Sequence, residues 1–118
     1  MLHCHSNVGV LLERFCAMRY EATHPVEPPP MGDVTPEDFK ARVGGRLAMI
    51  GNLQIGEMLA GDPQQIRGWV RDLIEVMGLD GGLVLCDSAT PWETPMKDET
   101  PRNCFALIEA AHEFGRGA

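Results

Sequence analysis

Two short apolar runs constrain this chain more than any other feature: Leu47-Ala48-Met49-Ile50-Gly51-Asn52-Leu53-Gln54 and Gly82-Leu83-Val84-Leu85-Cys86. The first ends abruptly in small and polar residues and reads as a buried parallel strand whose carboxyl end opens into a site. A capped helix, Thr35 to about Val43, precedes it and is closed by Gly44-Gly45. A longer helical region separates it from the second run. Strand, helix, strand with a connection of crossover length makes a parallel, right-handed pair.

The same unit recurs along the chain. Leu2 to His5 begins as a strand with nothing ahead of it, as if the chain starts inside a fold. Ser6 or Asn7 then caps a helix carrying Val8, Leu11, Leu12, Phe15 and Met18 on one face. Ala22 to Glu27 is a weaker strand, at an edge or merely extended, because Pro25 cannot donate to a ladder. Pro28-Pro29-Pro30 follows as a stiff loop, either a rigid connector or a loop that positions Glu27. Thr35-Pro36-Glu37-Asp38 supplies a side-chain cap, a proline at the first helical position and acids over the positive end of the dipole. Ile55 to Ala60 forms a short helical turn. Asp62-Pro63-Gln64-Gln65 starts a further helix with a capping-box arrangement and an apolar stripe of Ile66, Val70, Leu73, Ile74 and Met77, ended by Gly78. A polar loop, Asp87 to Glu99, leads to a last helix at Thr100-Pro101 with Phe105, Leu107, Ile108 and Ala111 inward and Gly115 as its stop. The result is a single α/β domain over residues 1–118: four sequential strand–helix units without a signal for sheet-order reversal. That is the pattern of half a (β/α)₈ TIM barrel, shared locally with an open four-stranded α/β sheet.

Composition narrows the function. At 118 residues the chain is one domain, well short of the roughly 250 of a complete eight-fold barrel. A net charge of −7 repels phosphate backbones and argues against nucleic acid. No apolar run approaches the ~20 residues of a membrane span, and Met1-Leu2-His3-Cys4-His5 lacks the regions of a signal peptide, so a cytoplasmic protein is expected. Cys4, Cys16, Cys86 and Cys104 form no Cys-x-x-Cys pair; Cys16 and Cys104 read as reduced, small hydrophobes. Gly78, Gly81 and Gly82 lie far from the strand ends that cradle phosphate, and no dinucleotide signature, Walker loop or Ser-His-Asp arrangement is present.

In parallel α/β architectures active groups gather at the carboxyl ends of the strands. Here those ends carry His3 and His5, then Glu27, then Asn52 and Gln54, then Cys86 and Asp87. His3 and His5 share strand parity and face one side; with Cys86 or Glu27 they supply nitrogen, sulfur or oxygen ligands for a zinc-like ion. Without a metal, the same histidines suit polar recognition or proton transfer, with His3, His5 and Glu27 as the acid–base groups. Asn52 follows Gly51, whose missing side chain permits close approach of a ligand or strand, and Asn52, Gln54 and Asp87 are the candidate substrate contacts. Trp92 lies in the loop above the last strand, either covering the site or simply exposed.

The motif order resembles the uroporphyrinogen decarboxylase superfamily, which includes the cobalamin-dependent and coenzyme M methyltransferases. The residues that carry it are His3-Cys4-His5-Ser6-Asn7 at a strand end, Pro25-Val26-Glu27-Pro28-Pro29-Pro30 with Gly32-Asp33, Ile50-Gly51-Asn52, and Thr100-Pro101-Arg102-Asn103 before the last helix. The likeness covers the carboxyl-terminal four units of the family. It implies a (β/α)₈ barrel with a substrate cleft at its carboxyl face. In the methyltransferase branch a His-x-Cys pair and a later cysteine bind zinc. The pair corresponds here to His3 and His5, with histidine where the branch has cysteine; the later cysteine corresponds to a position near Ala89, and Cys86 falls a few residues early. The decarboxylase branch takes arginine and aspartate from the barrel's amino-terminal half.

The expectation is a truncated or split half barrel with little or no activity alone, completed by a second copy in a homodimer or by a complementing half-barrel chain. Inward strand residues, including Ala48, Ile50 and Leu85, are then buried in the assembly. The alternative is a zinc-assisted methyltransferase or a lyase acting on a small or tetrapyrrole-related molecule.

Overall fold

The computed structural model describes residues 1–78 and 81–116. Its elements in chain order are β1 (Leu2–His3), a 3₁₀ turn (Gly9–Leu11), α1 (Leu12–Ala17), β2 (Ala22–His24), α2 (Pro36–Val43), β3 (Ala48–Leu53), α3 (Ile55–Ala60), α4 (Pro63–Met77), β4 (Leu83–Asp87) and α5 (Glu99–Phe114). The strands form one parallel sheet in the order β1-β2-β3-β4. The α/β class and the crossover reading of the two long strands therefore hold.

Local chemistry explains the best-defined helices. Thr35 caps α2, its hydroxyl accepting from the Asp38 N–H at 3.2 Å, and Pro36 occupies the first helical position. Asp62 and Gln65 close a full capping box on α4. All five residues of the expected α4 stripe are buried. At α1, by contrast, neither Ser6 nor Asn7 caps the helix; Asp33 from the loop before α2 accepts the Gly9 N–H at 2.9 Å. Val8, Leu12 and Phe15 are buried, whereas Met18 is exposed because α1 has already ended at Ala17.

Two expectations are corrected. β2 is not an edge strand: it pairs with both β1 and β3, since it ends at His24 and Pro25, which lacks a donor, falls beyond the ladder. In α5 the buried residues are Thr100, Asn103, Ala106 and Ala110, while Phe105 and Ile108 are 64% and 48% exposed. That helix packs against both α3 and α4, and small side chains let the three approach.

The helices form a single layer that follows the strand order. α1 packs on α2, α2 on α4, and α4 on α5. The molecule measures 42 × 36 × 21 Å, and the shortest dimension has room for one sheet and one helix layer at about 10 Å each. The sheet is accordingly two-sided. Thr23 and Met49, neighbours across β2 and β3, are fully buried, and Leu53 is 3% exposed. On the other side Ala22, Ala48 and Ile50 are half-buried, and Val84, the partner of Ile50, is 55% exposed. Leu85 pairs with Gly51 and so alternates with Val84; it joins the helix side rather than the face that carries Ala48 and Ile50.

Thr23 also holds an orphan. Its Oγ1 is buried and without a hydrogen-bond partner among the described residues. Replacing that hydroxyl by a methyl of similar shape removes a desolvated polar atom, so Thr23→Val should stabilise the fold by up to about 1 kcal/mol in thermal melts. A lower melting temperature would contradict this packing.

Candidate functional site

The carboxyl ends of β1, β2 and β4 bring together His3, His5, His24, Glu27, Cys86 and the Asp87 backbone. Register places His3 beside His24, and their Nδ1 atoms lie 2.9 Å apart with the rings stacked. His24 Nε2 lies 3.1 Å from the Asp87 carbonyl oxygen. A carbonyl can only accept, so His24 must carry its proton on Nε2. The two facing Nδ1 atoms then share one proton: either His3 donates to neutral His24, or a protonated His24 donates to His3. His3 is exposed and His24 half-buried, so the pair links solvent to the sheet interior. The ring of His5 stands edge-on to His3, with centroids 4.8 Å apart.

Glu27 is only 6% exposed and serves as the anchor of the mouth. Its carboxylate accepts the Ser6 N–H at 2.7 Å and lies 3.4 Å from His5 Nδ1. Ser6 adopts a left-handed backbone at φ 71°, and this hydrogen bond helps to hold it there. The proline loop folds back onto Glu27: the Met31 and Gly32 N–H groups donate to the Pro28 carbonyl, and the Val34 N–H donates to the Glu27 carbonyl. Gly32 is required by close approach, because a Cβ there would overlap the Glu27 carbonyl oxygen. Gly51 is required for a different reason than close approach. A Cβ would meet nothing nearer than 3.8 Å, but its φ of +132° is open to glycine and few others.

Cys86 turns its thiol toward the Asp87 carbonyl at 3.0 Å, with His24 Nε2 at 3.8 Å. Burial, then the neighbouring Asp87 carboxylate, push the thiol above its ordinary value, so it stays protonated near neutral pH. Alkylation of Cys86 by iodoacetamide should therefore rise with pH through a midpoint above that of an ordinary cysteine thiol. A reactive thiolate at pH 7 would contradict the arrangement. Burial, then the Asp87 carboxylate, also raise the Cys104 thiol on α5, and the backbone carbonyl of Asp87 is the group that meets His24.

The three donors expected for zinc do not converge. His3 Nδ1 faces His24, His5 Nδ1 faces Glu27, and the Cys86 thiol faces a carbonyl. Among the described residues no group of three or more His, Cys, Asp or Glu side chains is placed to hold a metal ion. As placed, these side chains engage one another and the backbone through hydrogen bonds.

Asn52 and Gln54 belong to a neighbouring recess formed with the proline loop and α4. Trp92 is 67% exposed and lines neither this recess nor the histidine cluster. A larger recess of about 830 Å³ lies at the amino ends of the strands, between Leu47-Ala48 and Gly81-Gly82, and none of His3, His5, Glu27, Asn52, Gln54, Cys86 and Asp87 lines it.

Two residues of the mouth escaped sequence reasoning. His24 is hidden beside Pro25, in a strand too short to show periodicity, although its two-residue spacing from Ala22 was the usable signal. Ser88 is 1% exposed; its N–H donates to the Leu53 carbonyl at 2.7 Å, and its Oγ accepts the Ile55 N–H at 3.0 Å. It thus fastens the ends of β3 and β4 to the start of α3, a role no local pattern announces.

No described helix is long and apolar enough to cross a membrane. Comparison with known proteins gave no match to any family model and none to a curated protein.

Proposed function

We propose that this chain is a half-barrel subunit of the uroporphyrinogen decarboxylase type, with little or no activity alone, that covers its open sheet face with a second copy. One observation carries the reading: four parallel strands in chain order with helices along one side and Val84, on the other, 55% exposed. Parallel sheets are normally covered on both faces. Two copies turned about an axis along the strands would place β4 of each beside β1 of the other, satisfying both open edges. The face suits self-association despite the net charge of −7, because Ala22, His24, Ala48, Ile50 and Val84 include no acid. The apolar stripe of Phe105 and Ile108 on α5 lies where a neighbouring helix would follow in such a ring. The motif order from His3-Cys4-His5 to Thr100-Pro101-Arg102-Asn103 supports the family part of the proposal. Amide hydrogen exchange tests the edge pairing: protection of β4 should increase with protein concentration, and protection independent of concentration would contradict it.

The mouth favours a lyase over methyl transfer as the activity of a closed assembly. Decarboxylation replaces a carboxylate by a proton and releases carbon dioxide, and the shared proton between His3 and His24 is a supply for that step. A carboxylated tetrapyrrole is the substrate class to assay. Carbon dioxide release that is lost in His24→Gln supports the lyase. No release, or release unaffected by the substitution, overturns it.

A further inference from the structure

Beside the carboxyl end of β3, a recess of about 240 Å³ opens between the Pro28-Pro29-Pro30 loop, the start of α2 and the flank of α4. Asn52 lines it and is only 8% exposed, yet its carboxamide has no hydrogen-bond partner among the described residues. Gln54 Nε2, also at the recess, is buried and finds no acceptor among the described residues. A buried amide nitrogen without a partner, as at Gln54, is costly unless a ligand satisfies it, and the unengaged Asn52 carboxamide lines the same recess.

The charges around these amides select the sign of that ligand. Glu37 and Glu57 both line the recess. A third carboxylate, Asp72, is already engaged by Arg71 at 2.7 Å. Burial raises the Glu57 carboxyl, the response of an acid that lacks a compensating cation. The walls are apolar: the prolines and the indole of Trp69, a surface suited to a short carbon chain and to a cation near an aromatic ring.

We propose that this recess binds a small amino alcohol, its ammonium held by Glu57, Glu37 and the Asn52 oxygen, its carbon chain on Trp69 and the prolines, and its hydroxyl accepting from Gln54 Nε2. The site is distinct from the histidine mouth and independent of the half-barrel reading.

Trp92→Phe leaves Trp69 as the single tryptophan, and Trp92 is exposed, so this variant is a clean reporter. The probes are 4-amino-1-butanol, 1,4-butanediol and 1-butylamine. The amino alcohol should change Trp69 fluorescence saturably with a dissociation constant on the order of 1 mM, and the neutral diol should not bind. Adding Glu57→Gln should weaken the amino alcohol at least about tenfold, consistent with loss of a charged contact. The Asn52 carboxamide signals in NMR should shift with the same binding curve. Absence of a saturable change, equal binding of the diol, or undiminished binding by the Glu57→Gln protein would overturn the proposal. Equal affinity for butylamine would remove the role given to Gln54.

Discussion

On the proposed self-association, Val84→Lys should yield a folded monomer. Val84 is 55% exposed in the edge strand β4, so a lysine there meets water in the single chain and costs the fold little. In a closed assembly the same position lies inside the covered face beside Ile50, where a lysine would be a buried, unpaired charge. That asymmetry separates assembly from folding. The variant should keep the wild-type far-ultraviolet circular dichroism while its solution mass falls to that of one chain. Retention of the wild-type mass would mean that Val84 is not part of the contact. Ile50→Asp on the same face should act in the same direction, with a larger cost to the fold because Ile50 is already half-buried.

Asn103→Ala should be among the most damaging single changes to the fold itself. Asn103 is fully buried on α5, and its Nδ2 donates to the carbonyls of Met58 at 3.1 Å and Gly61 at 2.8 Å. These carbonyls belong to the end of α3, a helix of six residues that has few bonds of its own. Without the carboxamide both carbonyls lose a buried donor and a cavity opens between α3 and α5. The unmatched Oδ1 of Asn103 offsets part of the loss when it is removed. The net cost should be about 3 kcal/mol, a fall of roughly 10 °C in melting temperature for a domain of this size. A fall below about 3 °C would show that α3 does not depend on this contact.

The legible parts of the fold were those fixed by local chemistry. Thr35 and Asp62 announce α2 and α4 through caps that operate within four residues, and the apolar run at Ala48–Leu53 marks a central strand whatever surrounds it. Residues whose role depends on distant neighbours were misread. Phe105 and Ile108 are the strongest apolar signals in α5, yet the crowding of α3 and α4 selects Ala106 and Ala110 for the interior. Asn103 looks like a surface residue until α3 is placed beside it. The candidate site shows the same division. His3, His5 and Glu27 could be found from their places at strand ends, but His24 needed the β1–β2 register. Asn52 and Gln54 stand out in the sequence as polar residues at a strand end, whereas their neighbours Trp69 and Glu57 come from helices that only the folded chain brings near.

Light scattering coupled to size exclusion, run over a dilution series, tests the central claim most directly. A sheet face covered by a second copy, as proposed, predicts a species of twice the 13.0 kDa chain mass that dissociates only on dilution. A mass of 13.0 kDa at every concentration, with the fold intact, would contradict it: the open face would then be a stable surface of the single chain.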